Sequence, residues 1–522
     1  MPIRPSRQGE SIRDRLNQQL QGPNKPLSDP TTLDIPNILQ SKPTPGAPSD
    51  NALDIDPNAA FVEQDILTLS DVVASTYRGF PLIEIARQQA GVTSGEYRSA
   101  WGAYDTKLEY FSLNQPLGYY ETYRNGIGAA RQLWWGGYLS TGYRIGRGYY
   151  EPWYKERQTD DAGEFKVAYQ QPLLQGRAID PQRVELFQAN LRRQSVGPEV
   201  QFQLLVATRD AAFAYWQWVE QGNILRAQRN LLRLAELRAG QFEEAFERGV
   251  ATELTVSLNR QEILSRQLKV NDTQMKFRDS AYKLSIFLRD ENGQPLLAPP
   301  EWLPPRFPKP VDIALATYEQ DYSSALSARP ELRLIELQAQ EVRLDLQLAR
   351  NQTLPNVDFT IQAGKDIGEP ATSSNDKREF ELETGIVGGV PIQRNKAFGK
   401  IQSTNAKLVQ IAQKLEFQRN KINAELLMAR NQVEIAQQNV RIAQDFLAET
   451  QKVLDLFRLA VTQGDFDLQL FLQQEVKVTE AEVKLLEEVR TYYQAIAALQ
   501  ATLGLDPLDQ STLLNTTSVY EQ

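Results

Sequence analysis

The chain has 522 residues, with 57 Lys+Arg against 66 Asp+Glu and neither Cys nor His. A net charge of -9 argues against a nucleic-acid partner, which would meet a basic face. The missing Cys and His remove thiolate nucleophiles, disulfides, Cys/His metal sites and imidazole acid–base chemistry together.

Residues 1–65 read as a flexible, Pro-rich N-terminal arm, because the first 60 are polar and contain ten Pro. They hold no 7–15-residue apolar stretch behind the early Arg residues, so the pattern of a cleaved export signal is absent from them. Either the start lies further upstream or the chain is not exported. No later window has 18 consecutive apolar residues, so no transmembrane helix is expected and a membrane role would have to use β-strands.

Residues 66–293 read as a first structural repeat: a helix, two strands and a long helical hairpin with its tip near Gly249. Phe165, Val167 and Tyr169 alternate with Lys166 and Ala168, the period of a strand. Before them, Trp134 to Tyr154 carries eight aromatics in 21 residues, interleaved with Gly136, Gly137, Gly142, Gly146 and Gly148. Trp134, Trp135, Tyr138, Tyr143, Tyr149 and Tyr150 suit a membrane–water interface, where a ring is buried and its polar atom stays wet. A soluble sheet core or a sugar-binding surface fits the same segment. Residues 294–312 follow as a linker, with seven Pro between Pro295 and Pro310.

Residues 313–506 read as a second repeat with a hairpin tip near Gly464, followed by a tail over 507–522. Val357, Phe359, Ile361 and Ala363 share one strand face, and Phe380, Leu382, Thr384 and Ile386 share another. From about Ala397 to Thr462 there is no Pro, and an apolar stripe recurs at 3–4 spacing from Leu408 through Ile422, Leu426, Val433 and Val440 to Val461. This predicts a coiled-coil seam on a long helix, solvated on its other, polar faces. Gly249 and Gly464 each interrupt a long helical pattern, as a left-handed cap would.

The two halves resemble each other. GFPLIEIARQQA matches ARPELRLIELQA, VAYQQPLLQG matches IVGGVPIQRN, and FERGVATELTVSLNRQE matches VTQGDFDLQLFLQQE. Pro172 lies 77 residues before Gly249, and Pro391 lies 73 before Gly464. Only the stretch from Pro81 to Pro172, at 91 residues, differs clearly from Pro330 to Pro391, at 61. The resulting four strands per chain cannot close a barrel, since bacterial barrels need at least eight. Copies must therefore assemble.

These features resemble the TolC-like outer-membrane efflux family over about residues 66–506. The resemblance rests on the duplicated order, on ARPELRLIELQAQEVRLDLQLARNQTLPNVDFTIQAG, on VAYQQPLLQGRAIDP, on GGVPIQRNKAFGKIQSTNAKLVQIAQ and on FERGVATELTVSLNRQEILSRQ. It implies a mainly α fold with a β-barrel contribution. Four transmembrane strands per protomer would form a twelve-stranded trimeric barrel, and coiled-coil hairpins would form a periplasmic tunnel. It implies a homotrimer in bacterial outer-membrane lipid with a periplasmic extension, and no cofactor or metal. Such a channel is a passive exit duct for efflux or type I secretion, docked by a periplasmic adaptor (membrane fusion) protein and an inner-membrane pump.

By position, the adaptor-docking tips are Arg248, Gly249, Val250, Ala251 and Thr252, with Gln463, Gly464, Asp465, Phe466 and Asp467. Where many family members place an Asp at the tunnel entrance, this chain has Thr255 and Leu470. A steric or hydrophobic gate then replaces an acidic ring. The adjacent carboxylates Glu243–Glu244, Glu487–Glu488 and Asp160–Asp161 read as solvated surface rather than catalytic pairs, as do Arg430 and Arg441. The competing reading is a periplasmic or soluble coiled-coil protein without channel activity. No catalytic constellation supports an enzyme.

Overall fold

The computed structural model describes residues 66–118, 120–150, 157–290, 293–311, 313, 315–370, 380–462 and 468–506. In chain order these form α1 (Leu69–Gly79), α2 (Pro81–Trp101), a 3-10 turn (Gly102–Tyr104), β1 (Lys107–Gln115), β2 (Thr122–Gln132), β3 (Tyr138–Gly148) and β4 (Glu164–Pro172). Then come α3 (Pro181–Glu247), α4 (Glu253–Ser285), a second 3-10 turn (Pro300–Trp302), α5 (Tyr318–Ala328), α6 (Pro330–Asn351), β5 (Asn356–Asp366), β6 (Phe380–Gly389), α7 (Asn395–Thr462) and α8 (Leu468–Thr502). The chain divides into two compact units. One is built from Ala86–Val200 and Glu331–Gln418, the other from the residues up to Ile85, Gln201–Pro330 and the residues from Arg419 on.

The first unit holds one antiparallel sheet in the order β1-β2-β3-β4-β5-β6. The expected four strands per chain are therefore six, four of them from the first half. The additional hairpin, β1–β2, accounts for the longer stretch between Pro81 and Pro172. Sequence alternation missed β2 because Gly126, Gly128, Ala129 and Ala130 hide its two-residue period. Pro at the first position starts α2, α3 and α6, where its missing N–H costs nothing. Asp180 accepts from the Arg183 backbone N–H at 2.7 Å and pairs with its guanidinium at 2.8 Å. The same guanidinium donates to the Gly176 and Arg177 carbonyls, so one buried Arg fixes the turn from β4 into α3.

The second unit is a set of long helices. Antiparallel α3 and α4 are tied by Arg266 donating to the Leu231 carbonyl at 2.9 Å and Arg229 donating to Gln274 at 3.1 Å. In α7 and α8, Gln474 donates to the Thr450 carbonyl and Asn439 to Glu488, both at 3.2 Å. The two hairpins are joined where Arg238 donates to both Glu475 oxygens at 2.6 Å, with Arg266 at 3.9 Å.

The predicted seam of α7 is buried at Ile422, Leu426, Ala429, Val433, Ala436, Val440 and Ala443. The remaining faces of this helix are not simply polar, as the sequence had suggested. Met428, Ile435, Ile442 and Leu456 form a second, exposed stripe in seven-residue phase, interrupted at Glu449. On α4, Leu254, Leu268, Met275 and Tyr282 keep the same phase and are also exposed. Arg430 is likewise not a free surface cation: it pairs with the buried Asp321 and donates to the Ala316 carbonyl at 3.0 Å. Asp160, expected on a solvated loop, is buried, and its N–H donates to Asp366 at 3.1 Å.

The Pro-rich linker is an ordered strap. Leu303 lies wholly buried in a cluster with Trp218, Val219, Phe277 and Leu284. Further along, Tyr493 donates to the Pro308 carbonyl at 3.1 Å, and Tyr492 donates to the Val311 carbonyl. Gly222 leaves the niche for Leu303. A Cβ there would meet the Leu303 methyls at 2.4 and 2.7 Å and the Phe277 ring at 3.0 Å, and both side chains are fully buried. Gly240, on the same helix, has open space around it. Gly222→Ala is therefore expected to destabilise by about 1–3 kcal/mol through overpacking, while Gly240→Ala stabilises by about 0.5–1 kcal/mol. Thermal unfolding followed by circular dichroism checks the opposite signs.

Candidate functional site: an inverted sheet and two hairpin tips

The strands are 9–11 residues long, the length a tilted strand needs to cross a hydrocarbon core. Directly paired residues share a face, so the register sorts every side chain. One row runs Leu108, Ala129, Thr141, Val167, Ala363, Leu382 across all six strands. The row beside it runs Tyr110, Ile127, Tyr143, Phe165, Lys365, Phe380. Lys365 is the single charge among these twelve positions. On the opposite face the rows run Lys107, Ala130, Ser140, Ala168, Gln362, Glu383 and Glu109, Gly128, Gly142, Lys166, Gly364, Glu381.

Across β4 and β5 the burial of acidic groups is the reverse of a water-soluble sheet. Leu108 is 76% exposed and Leu382 58%, while Glu164 on the polar face is 1% exposed and Asp366 is also buried. Glu164 is held by an ion pair with Arg144, and Gln170 donates to Asp358 at 2.9 Å. Phe111, Leu113 and Val387 are apolar exceptions on the polar face. The Phe111 ring covers Gly126, where a Cβ would lie 2.5 Å from it. Charges inside and apolar groups outside are the pattern of a barrel wall with a wet lumen and a lipid-facing surface.

The aromatics singled out from the sequence divide by position. Trp135 donates to the Tyr169 hydroxyl at 2.9 Å beside the apolar face, and Tyr143 packs on Phe165 there. Trp134 instead stacks on Trp101 and meets Phe187 edge-on, with Tyr104 against it. Burial, with Asp180 adding and Arg183 opposing, pushes the Tyr104 hydroxyl up to about 12. Tyr138 lies in the polar face, opposite Gln132 and Gln170. Tyr149 is exposed just past β3, and the Tyr150 hydroxyl comes close to Gly146. Trp153 and Tyr154 lie outside the described residues.

At the first tip, Gly249 has φ +72, a left-handed conformation that disfavours any side chain. It lets the Val250 and Ala251 N–H groups close on the Ala245 carbonyl at 2.9 and 3.1 Å, after which Thr252 caps α4 by accepting from the Thr255 N–H at 3.3 Å. Thr255 also shares a hydroxyl hydrogen bond with Thr252 at 3.0 Å, so the capping pair engages both side chains. Val250 is 81% exposed, an apolar residue at the apex, and Arg248 pairs with Glu244 at 2.7 Å. Leu470 is exposed on the first turn of α8, the counterpart of Thr255 on α4. Gln463, Gly464, Asp465, Phe466 and Asp467 lie outside the described residues. Among the described residues no group of three or more acidic side chains is placed to hold a metal, and no helix is long and apolar enough to cross a membrane.

A duplicated helix–strand–hairpin chain with an inverted sheet is the protomer fold of TolC-like outer-membrane channels. Solved structures bear out that fold. The Campylobacter jejuni CmeC outer membrane channel superposes with a TM-score of 0.60 at 12% identity, covering 86% of this chain and 89% of that one. The Neisseria gonorrhoeae MtrE outer membrane channel, in its open state, gives 0.59 at 13%, covering 86% and 96%. A membrane protein from Pseudomonas aeruginosa gives 0.61 at 13%, covering 86% and 95%. No protein-family model matches the chain, and no curated protein matches it.

The two faces make a directional prediction. Val167→Arg, on the apolar face, is expected to cost about 2–4 kcal/mol in lipid and to abolish the assembled species that runs intact without heating. Ala168→Arg, one residue on, should leave it intact. Seminative gel electrophoresis of membrane extracts compares them.

Proposed function

We propose that the chain is one protomer of a homotrimeric outer-membrane channel, a passive exit duct that extends into the periplasm and belongs with the TolC-like efflux family. The observation that carries the reading is the sheet: its apolar rows stand bare, the acidic groups Glu164, Asp358 and Asp366 on its polar face are buried, and it ends at β1 and β6 with no further strand among the described residues. A sheet of this kind satisfies its backbone in lipid only by closing with other copies. The exposed seven-residue stripes of α4 and α7 support the same assembly, since such stripes are coiled-coil surfaces awaiting a partner helix. CmeC and MtrE, solved structures of like fold, are outer membrane channels, as is OprN, and VceC of Vibrio cholerae is an outer membrane protein.

In this reading the periplasmic tips dock an adaptor protein, and an inner-membrane pump supplies the energy. Arg248, Gly249, Val250, Ala251 and Thr252 form the first docking surface, with the exposed Val250 as its apolar contact. Gln463, Gly464, Asp465, Phe466 and Asp467 form the second. Thr255 and Leu470 line the tunnel entrance as an uncharged constriction, so the entrance exerts no acidic field on permeating ions.

Fractionation tests the channel reading directly. The protein should require detergent for release from outer membranes and run as a trimer that heat dissociates. A water-soluble monomer would overturn the reading in favour of a structural coiled-coil protein. In planar bilayers, Leu470→Asp should raise the preference for cations over anions severalfold by placing a ring of carboxylates at the constriction. Unchanged conductance and ion preference would remove Leu470 from the entrance.

A further inference from the structure

The sheet holds a hairpin that the internal duplication does not account for. Helix α2 corresponds to α6, β3 to β5 and β4 to β6, each pair leading into a long helix. Nothing in the second half corresponds to β1 and β2. Resting on the channel reading above, we infer that this hairpin is part of the barrel wall, and that β1 of one copy pairs with β6 of the next. Three copies then close eighteen strands instead of twelve.

Three observations carry the inference. The first is pairing. β2 is laddered to β3 over its whole length, from Thr122 opposite Gly148 to Gln132 opposite Tyr138, and β1 to β2 from Lys107 opposite Ala130 to Gln115 opposite Thr122. A twelve-stranded wall would need β3 to leave β2 and offer that edge to a neighbouring copy, stranding a full row of backbone groups. In lipid each unsatisfied group costs several kcal/mol.

The second is the faces. Leu108, Tyr110, Ile127 and Ala129 continue the apolar rows of β3 to β6 without a step, and Lys107 and Glu109 continue the polar rows. A hairpin lying in water beside a barrel would have no reason to keep that alternation. It would also expose Leu108 and Tyr110, both bare in the isolated chain, to solvent.

The third is direction. Six strands in simple meander order leave β1 and β6 antiparallel to each other. The edge of one copy therefore meets the edge of the next with the same antiparallel pairing that runs through the sheet. β6 occupies the only other open edge among the described residues, so a second copy of this chain is the occupant that completes the ladder. The seam brings Lys107 and Glu109 of one copy onto the same lumenal face as Glu381 and Glu383 of its neighbour.

The consequence is a wider duct through the membrane. Barrel diameter grows about linearly with strand number, so eighteen strands give about 1.5 times the diameter of twelve, in the range that leaves an open aqueous channel.

The chain contains no cysteine, so introduced thiols report cleanly. Leu108→Cys on β1 would be combined in turn with Phe380→Cys, Leu382→Cys, Thr384→Cys and Ile386→Cys, the β6 positions on the same face. Each full-length double variant would be oxidised in intact outer membranes, after a reduced sample has shown the heat-dissociable trimer. At least one pair is expected to give disulfide-linked dimers and trimers that heat does not separate. The inference is overturned if none of the four links, or if Thr141→Cys on β3 links to a β6 position across copies. Cryo-electron microscopy of the detergent-extracted protein gives an independent count, eighteen strands expected and twelve overturning. A trimer with a twelve-stranded wall would sink this inference and leave the channel reading standing. A protein that forms no membrane trimer at all would sink the reading beneath it.

Discussion

Backbone groups in hydrocarbon have no water to turn to, and a sheet placed there must pair every one of them with another strand. On the channel reading, that requirement governs the β part of this protein. It explains why the apolar side chains of six strands stand on the outside, why Glu164 and Asp366 are the covered ones, and why a sheet with two bare edges cannot be the final state of the chain. The same logic reaches the helices by another route. Seven-residue stripes on α4 and α7 are left bare by the packing of one chain, and they ask for other helices as the sheet edges ask for other strands. On that reading a single copy is unfinished in both of its compact units, for two different physical reasons.

The helical unit shows how much polar chemistry a coiled-coil scaffold absorbs for structural ends. Glu475 takes both of its oxygens to Arg238 with Arg266 nearby, Glu220 takes Arg490 at 2.9 Å, and Glu425 takes Arg329 at 2.9 Å. Each pair joins segments far apart in sequence. Removing one partner of the most deeply buried of them, Arg238–Glu475, costs about 3–5 kcal/mol, because the other charge is left without compensation. These pairs select one arrangement of helices more than they stabilise it over an apolar core of the same shape.

Much of the fold was legible in the residues. The long helices, the glycine between α3 and α4, the seam from Ile422 to Ala443 and strands β4, β5 and β6 all carry periodicities that a single sequence displays. What escaped was physical rather than accidental. β2 is written with Gly and Ala where a neighbouring ring or strand approaches closely, as Phe111 does over Gly126, so its alternation has no large side chains to mark it. The 30-residue excess between Pro81 and Pro172 was a visible trace of the missing hairpin, but a length difference does not say what structure fills it. Arg430 and Asp160 were read as surface because pattern alone cannot see partners more than 100 residues away. Of the candidate site, the conformation of the first tip was legible through Gly249. The division of the aromatics between the apolar face, the polar face and the helix base required the register.

The proline strap bears on how such a chain comes to be made. Leu67 donates its N–H to the Trp302 carbonyl at 2.9 Å, and the cluster around Trp218 draws its buried members from Leu67 through Leu303. The beginning and end of the first half are thus fastened to each other over a shared interior. A chain delivered from its N-terminus presents every fully buried member of this interior before the second half is complete, and only Tyr493 among the partly buried residues packed on it arrives later. The early half can settle as a cooperative unit and wait for its sequel, which shortens the time during which a long, sparsely cored polypeptide presents bare apolar surface to its surroundings.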